Sequence, residues 1–210
     1  MNFGSCGSVC DYLKKRKAVP AGAPIETEVK IRLTDPSAGK ALLRRGGYRI
    51  SRRRIFESNT VYDFADGRLR RGGQLLRLRQ AGKVWTLTYK GPPAAGKHKS
   101  RLELESEIAK GAEVGALLGY IGLAEIFRYE KYRTEYRKGE ERGLIVLDET
   151  PIGVFLELEG PPEWIDGSAK LLGLEESDYI TRSYGSLYTE YCEKRGIPPG
   201  NMVFHPGERA

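Results

Sequence analysis

The chain has 210 residues, 40% of them apolar and 30% charged, with a formal net charge of +7. That length suggests one domain or little more, with enough chain to bury a substantial core. No apolar run approaches the roughly 20 residues a membrane helix needs, the first twenty residues lack the apolar stretch of a secretory signal, and the positive charge favours anionic partners without saying which.

Residues 1–24 read as a flexible tail. They are rich in Gly and Ser and then basic at Lys14, Lys15, Arg16 and Lys17. That basic run could touch nucleic acid or anionic lipid, but it reads as solvated chain. Residues 25–196 read as a single folded unit, and the Pro/Gly-rich stretch 197–210 reads as a second tail. Cys6, Cys10 and Cys192 form no disulfide framework, and His98 and His205 make no zinc spacing with them. Cysteine usage of this kind fits the cytoplasm.

The folded unit opens on Ile25-Glu26-Thr27-Glu28-Val29-Lys30-Ile31-Arg32-Leu33. Successive side chains in a strand point to opposite faces, so Glu26, Glu28, Lys30 and Arg32 share one face. A helix is expected from the Asp35-Pro36 start to the Gly46-Gly47 stop. Further alternating segments follow at 76–79, 85–90, 101–108, 131–136, 144–148 and 155–159. Most of them place charge on one face and bulky apolar groups on the other. Helical patterns fall at 113–120, 166–172 and 177–195, the last with Ile180, Leu187, Tyr188 and Tyr191 on one face.

Alternation fixes faces and not closure. In one architecture the sheet is open and its charged face meets water. In the other it closes with the charges inward and the apolar face outward under the helices. Such a barrel would be a binding tunnel, because inward charges must pair, stay hydrated or bind ions. An outer-membrane barrel shares this sidedness, but the interspersed helices and the lack of aromatic girdles speak against it.

The spacing Glu26-x-Glu28-x-Lys30 sets two carboxylates ~6.5–7 Å apart on one strand face, close enough to lean toward one hard cation. Glu157-x-Glu159 repeats the pair. Oxygen ligands of this type suit magnesium or manganese. The basic counterpart is Arg77 with Arg79, Lys90, and Lys131 with Arg133, which suits a polyphosphate clamped between cations and metal. The stretch Gly91-Pro92-Pro93-Ala94-Ala95-Gly96-Lys97-His98 matches the start of a P-loop. It is rejected because His98 stands where Ser or Thr should hold the metal, a strand pattern follows instead of a helix, and two prolines remove backbone donors.

The ordered set resembles the CYTH superfamily, the triphosphate tunnel metalloenzymes. Glu26 to Lys30 resembles the family's E-x-E-x-K strand. Segments similar to its later strands follow at 57–64, Leu76-Arg77-Leu78-Arg79, Thr86 to Gly91, Arg101-Leu102-Glu103-Leu104-Glu105, Glu130-Lys131-Tyr132-Arg133, Leu147-Asp148 and Phe155 to Gly160. Arg182-Ser183-Tyr184 resembles a C-terminal segment of the cyclase-like branch. The resemblance implies an α+β fold, an eight-stranded antiparallel β-barrel whose apolar outer face is covered by helices. It implies a metal set drawn from Glu26, Glu28, Glu103, Glu105, Asp148, Glu157 and Glu159, and a substrate set of Lys30, Arg77, Arg79, Lys90, Arg101, Lys131 and Arg133. Glu26, Glu28 and Lys30 are expected to be catalytic, with magnesium or manganese as cofactor.

The expected function is hydrolysis of a triphosphate: ATP, thiamine triphosphate or tripolyphosphate. The alternatives are a class IV adenylate cyclase making cyclic AMP and pyrophosphate, and a non-enzymatic nucleotide- or polyphosphate-binding module. Trp85 and Tyr89 fall on the outward parity, leaving no evident adenine pocket, which favours hydrolysis. The expected partner is the small-molecule triphosphate, with no membrane and no specific nucleic acid; a homodimer is left open.

Overall fold

The computed structural model describes residues 24–207; the basic run Lys14–Lys17, Cys6 and Cys10 lie outside them. Among the described residues, eight strands carry the chain: β1 (Ile25–Leu33), β2 (Arg49–Phe64), β3 (Leu75–Ala81), β4 (Val84–Lys90), β5 (Lys99–Ile108), β6 (Leu123–Arg137), β7 (Leu144–Thr150) and β8 (Gly153–Glu159). They form a closed antiparallel barrel in the order β1-β5-β4-β3-β2-β6-β7-β8. β1 closes it by pairing with β5 on one side and β8 on the other, with Glu26 opposite Arg101, Glu28 opposite Glu159 and Lys30 opposite Glu157. Closure, which alternation left open, removes both sheet edges and turns the charged face into a lumen.

The apolar parity faces outward, under helices α1 (Pro36–Arg45), α2 (Arg68–Arg71), α3 (Gly111–Tyr120), α4 (Pro162–Leu171) and α5 (Tyr184–Arg195). Val29, Ile31, Ile145, Leu147, Leu156 and Leu158 pack with Leu43 of α1 and Ile165 and Ala169 of α4. Tyr62, Leu78 and Leu123 pack with Leu118 of α3. Phe155 and Tyr129 belong to the inward parity, and they pack with Tyr184 and Leu187 of α5, which enters the cavity wall. Most of the core is therefore a shell around the barrel, and fully burying each such side chain is worth about 1.5–3 kcal/mol.

Local chemistry sets the helix ends. Asp35 caps α1, its Oδ1 accepting from the Ala38 amide at 2.9 Å, and Pro36 supplies a first position that needs no N–H. Gly39 lets α1 lie flat on the barrel, since a Cβ there would come within 2.6 Å of Leu33 and 2.9 Å of Leu147.

Several boundaries differ from the sequence expectation, each for a tertiary reason. β2 begins at Arg49 and β6 at Leu123, because the two pair as a long ribbon. α5 begins at Tyr184 instead of 177. Ile180 is drawn into an antiparallel bridge with Lys30 of β1, through two backbone bonds of 2.9 and 2.8 Å, and helix forms only after the Ser183 cap. The segment after α5, read as a tail, docks on the ribbon: Met202 is fully buried, and its backbone bonds to Arg128 and Glu130. The P-loop-like stretch leads into β5 at Lys99, as its strand pattern requires. His98 and Lys97 fasten it to Asp166 of α4 at 2.8 and 2.9 Å.

Candidate functional site

The lumen opens into a cavity of about 1500 Å³. The strand parity sends eight cations into the barrel interior: Lys30, Arg77, Arg79, Lys90, Lys99, Arg101, Lys131 and Arg133. It also sends in eight carboxylates: Glu26, Glu28, Glu57, Glu103, Glu105, Asp148, Glu157 and Glu159. Among the described residues, each of the sixteen has at least one opposite charge within 4 Å. Counted as ionised, these sixteen groups balance one another; Glu135, Asp63, Arg52, Arg70 and Arg182 also line the cavity.

Within this balance the groups separate into two neighbourhoods. Glu26, Glu28 and Glu159 bring carboxylate oxygens within 4.8 Å of one another, a set that could hold a metal ion. Glu26 meets Lys90 at 2.5 Å, and Glu28 meets Lys30 at 3.0 Å and Lys99 at 2.9 Å. Burial opposes the charge on Glu28, but Lys30, and then Lys99 and Lys90, outweigh it and hold the carboxyl well below its usual range. Glu159 is the exception. Burial, with Glu157, Glu26 and Glu28 adding to it against Arg133, pushes its carboxyl up to about 8. Burial and neighbouring carboxylates both disfavour its charged form. Three hard oxygen donors at this spacing fit magnesium or manganese better than zinc.

The second neighbourhood surrounds Asp148, which is fully buried. It accepts from Lys131 at 2.7 Å, from Arg133 at 2.8 and 2.7 Å, and from the Tyr184 hydroxyl at 2.9 Å. Of the seven carboxylates expected around the metal, the structure gathers Glu26, Glu28 and Glu159. Asp148 is enclosed by cations instead. Glu157 bridges Lys30 at 3.2 Å and Arg133 at 2.5 Å. Glu103 pairs with Lys90 at 2.9 Å and also meets the Glu26 carboxyl, so it borders the cluster, and Glu105 pairs with Arg79 at 3.0 Å. All seven expected substrate-binding residues line the cavity. Arg77, Arg79 and Arg101 also keep a buried Nε without a hydrogen-bond partner, so each has a donor to spare.

Sequence reasoning missed Lys99, Glu57, Asn59 and Tyr129. Lys99 shares the inward parity of Arg101 but sits at the edge of the rejected P-loop stretch. Glu57 and Asn59 lie opposite Lys131 and Tyr129 in the ribbon, and alternation from Glu57 would have placed both inward. Both amide atoms of Asn59 and one oxygen of Glu57 are buried with no hydrogen-bond partner. The Tyr129 hydroxyl accepts from Arg77 at 3.2 Å.

Glu57 makes a pH prediction. Burial raises its pKa, but Arg133, Lys131, Arg79 and Arg77 outweigh burial and bring it to about 2, below the ordinary 4.5. Its contribution to stability is therefore complete above pH 4.5 and is lost as pH falls toward 2. The acid limb of the unfolding midpoint, followed by circular dichroism between pH 5 and 2, should be shallower in Glu57→Gln than in the parent. Parallel limbs would show that Glu57 is not held ionised.

The model of the CYTH domain family matches residues 24–184. A Methanocaldococcus jannaschii protein provisionally named an adenylate cyclase is 27% identical over 178 residues, covering 82% of this chain and 99% of its own length. A solved structure from Vibrio parahaemolyticus, with the same provisional name, superposes with a TM-score of 0.70 at 22% identity, covering 80% of this chain and 99% of the other. A Hippeastrum protein described as a provisional adenylyl cyclase with a dominant triphosphatase activity superposes with a TM-score of 0.57 at 22% identity, covering 83% and 97%. The chain belongs to the CYTH domain family, and among its described residues no helix is long and apolar enough to cross a membrane.

Proposed function

We propose that this CYTH-family chain is a metal-dependent triphosphate hydrolase whose lumen holds the phosphate chain. The observation that carries the reading is the dense pairing of cations with carboxylates in the lumen beside a three-carboxylate cluster. A triphosphate brought into a lumen of paired charges would add several negative charges, each costly to desolvate. A divalent cation on Glu26, Glu28 and Glu159 would offset two of those charges.

When bound, magnesium or manganese would polarise phosphoryl oxygens and offset charge developing in the transition state. The chain's own residues do the positioning. Arg77, Arg79 and Arg101 offer their spare Nε donors to phosphate oxygens. Lys90, Lys99 and Lys131 add point charges. The carboxylates that already pair with these cations fix their rotamers, so little reorganisation remains for the moment of reaction. Lys30 lies between Glu28 and Glu157. Burial lowers its pKa, but Glu157 and Glu28 outweigh burial and keep it charged, which suits a phosphate-binding cation and excludes a neutral base at this position.

A second reading, cyclisation of ATP, is favoured by one observation. Trp85 and Tyr89 do sit outside the lumen, with Tyr89 accepting from Gln74 at 2.7 Å, but Phe127, Tyr129, Tyr184 and Tyr188 line one end of the cavity, with Phe127 and Tyr129 stacked at 5.7 Å. Such rings could face a nucleobase. Cyclisation also needs the 3′-hydroxyl aligned within ~3–3.5 Å of the α-phosphorus, whereas hydrolysis needs only a placed water.

One assay separates the two readings. With ATP and magnesium or manganese, inorganic phosphate is expected to exceed cyclic AMP, with tripolyphosphate also hydrolysed. Equal amounts of cyclic AMP and pyrophosphate, with little phosphate, would make the chain a cyclase. The Hippeastrum protein's dominant triphosphatase activity under a cyclase name supports the hydrolytic reading.

A further inference from the structure

The sixteen paired lumen groups balance one another, and a surplus of positive charge lies outside them. Much of it lies in one run. Residues 36–56 contain Lys40, Arg44, Arg45, Arg49, Arg52, Arg53 and Arg54, and no Asp or Glu. The run folds into α1 and the start of β2, and between them lies a cleft of about 540 Å³ on the outside of the barrel. Lys40, Arg53 and Arg54 line it together with the hydroxyl residues Ser51 and Thr134, and no carboxylate does.

Three features separate this cleft from an ordinary solvated basic face. First, its cations are unequally matched. Arg54 is clamped by Glu149 at 3.0 and 3.2 Å and stacked on Tyr132 at 3.5 Å. Lys40 and Arg53, unlike all eight lumen cations, have no carboxylate within 4 Å among the described residues. Second, the ladder is irregular here. The register of β2 on β6 shifts between Ile50 and Arg52 and again between Arg52 and Ile55. Ser51, Arg53 and Arg54 therefore have no paired residue on β6, as at a β-bulge. Third, like charges are placed together at a cost: Lys40 of the cleft and Arg44 are four apart on one helix. An anion bound beside Lys40 would relieve that repulsion.

We propose that this cleft is a second anion site, separate from the lumen, which takes a phosphate group between Lys40 and Arg53, with Arg54 as its fixed wall. The chemistry is that of a phosphate mono- or diester: ammonium and guanidinium donors around tetrahedral oxygens, with hydroxyl donors at the rim. The one aromatic residue lining the cleft among the described residues, Tyr136, is buried, so no exposed ring there offers a face to a base, and the phosphate itself is what is recognised. A soluble phosphate compound and a phospholipid headgroup present the same group.

The test uses the full chain and inorganic pyrophosphate as probe, titrated calorimetrically at low salt. The unsubstituted protein should bind an equivalent that Lys40→Ala/Arg53→Ala weakens by at least about tenfold. Lys40→Arg/Arg53→Lys and the lumen variant Arg79→Ala should retain it. Triphosphate turnover in Lys40→Ala/Arg53→Ala should stay at the parent level, which also shows that this variant folds. Sedimentation with phosphatidylglycerol and phosphatidylcholine vesicles distinguishes the sources. Binding only to the anionic vesicles, lost in the double alanine variant, assigns the site to a lipid phosphate; binding of pyrophosphate without vesicle binding assigns it to a soluble one. A double alanine variant that binds pyrophosphate and vesicles as the parent does overturns the proposal.

Discussion

Glu26→Gln is expected to lower triphosphate turnover by about a hundredfold or more and to lower the unfolding midpoint by a few degrees. The kinetic part follows from the cluster. A metal that polarises the phosphoryl group supplies several kcal/mol of transition-state stabilisation, and each ~1.4 kcal/mol is a factor of ten. The stability part follows from what Glu26 leaves behind: Lys90 still has Glu103 at 2.9 Å, but Arg101 loses its one carboxylate within 4 Å among the described residues. Glu28→Gln should cost the same in turnover and lower the midpoint by several degrees. Lys30 would retain Glu157 at 3.2 Å, but Lys99 would lose its one carboxylate within 4 Å. A buried charge stripped of its partner is destabilising. Magnesium added without substrate should raise the midpoint of the parent protein, because a ligand bound by the native state alone stabilises it by mass action. That shift should vanish in both variants. Full turnover after chelation with EDTA, or a magnesium shift that survives in Glu26→Gln, would remove the metal from this cluster.

The largest effect on stability is expected from Asp148→Asn. Three cationic nitrogens and one hydroxyl converge on this carboxylate, and none of it reaches solvent. Arg133 would keep Glu157 and Glu159, but Lys131 would be left with Glu57 at 3.8 Å. Breaking a buried pair by removing one partner costs about 3–5 kcal/mol, which in a chain of this size lowers the midpoint by on the order of 10 °C. The same variant addresses the role of Asp148. If it is a keystone for the phosphate-binding cations, the magnesium shift persists in Asp148→Asn while triphosphate affinity falls. If it is a metal ligand, the magnesium shift disappears. A midpoint within a degree or two of the parent would deny it the structural role.

Tyr184 shows how the C-terminal helix enters the site. Its hydroxyl donates to Asp148, its ring packs edge-on against Phe155, and Lys30 and Lys131 lie 5.4 and 5.3 Å from the ring centre. The start of α5 is therefore part of the lumen wall. The sequence flagged Ser183-Tyr184 only by resemblance, because the helix that carries them was read as beginning at 177. Nothing local marks residues 179–183 as extended; Ile180 is held by the backbone of β1, about 150 residues earlier.

What the sequence determined alone was sidedness. A strand's period of two is a property of the backbone, so the alternation in β1, β3, β4, β5 and β8 told which side chains would share a face, and every expected substrate cation did reach the lumen. Closure was different in kind. It depends on twist, stagger and the meeting of β1 with β8, whose residues are some 130 apart in the chain, and no local pattern encodes that meeting; only the family resemblance anticipated it. The partition of the carboxylates was likewise a tertiary decision. Glu26, Glu28, Glu159 and Asp148 all read alike along their strands, but stagger sets the first three together and places Asp148 among Lys131, Arg133 and Tyr184. Identical side chains thus acquire opposite electrostatic surroundings, because the neighbours across a closed barrel are fixed by the register of strands distant in sequence and not by the residues beside them.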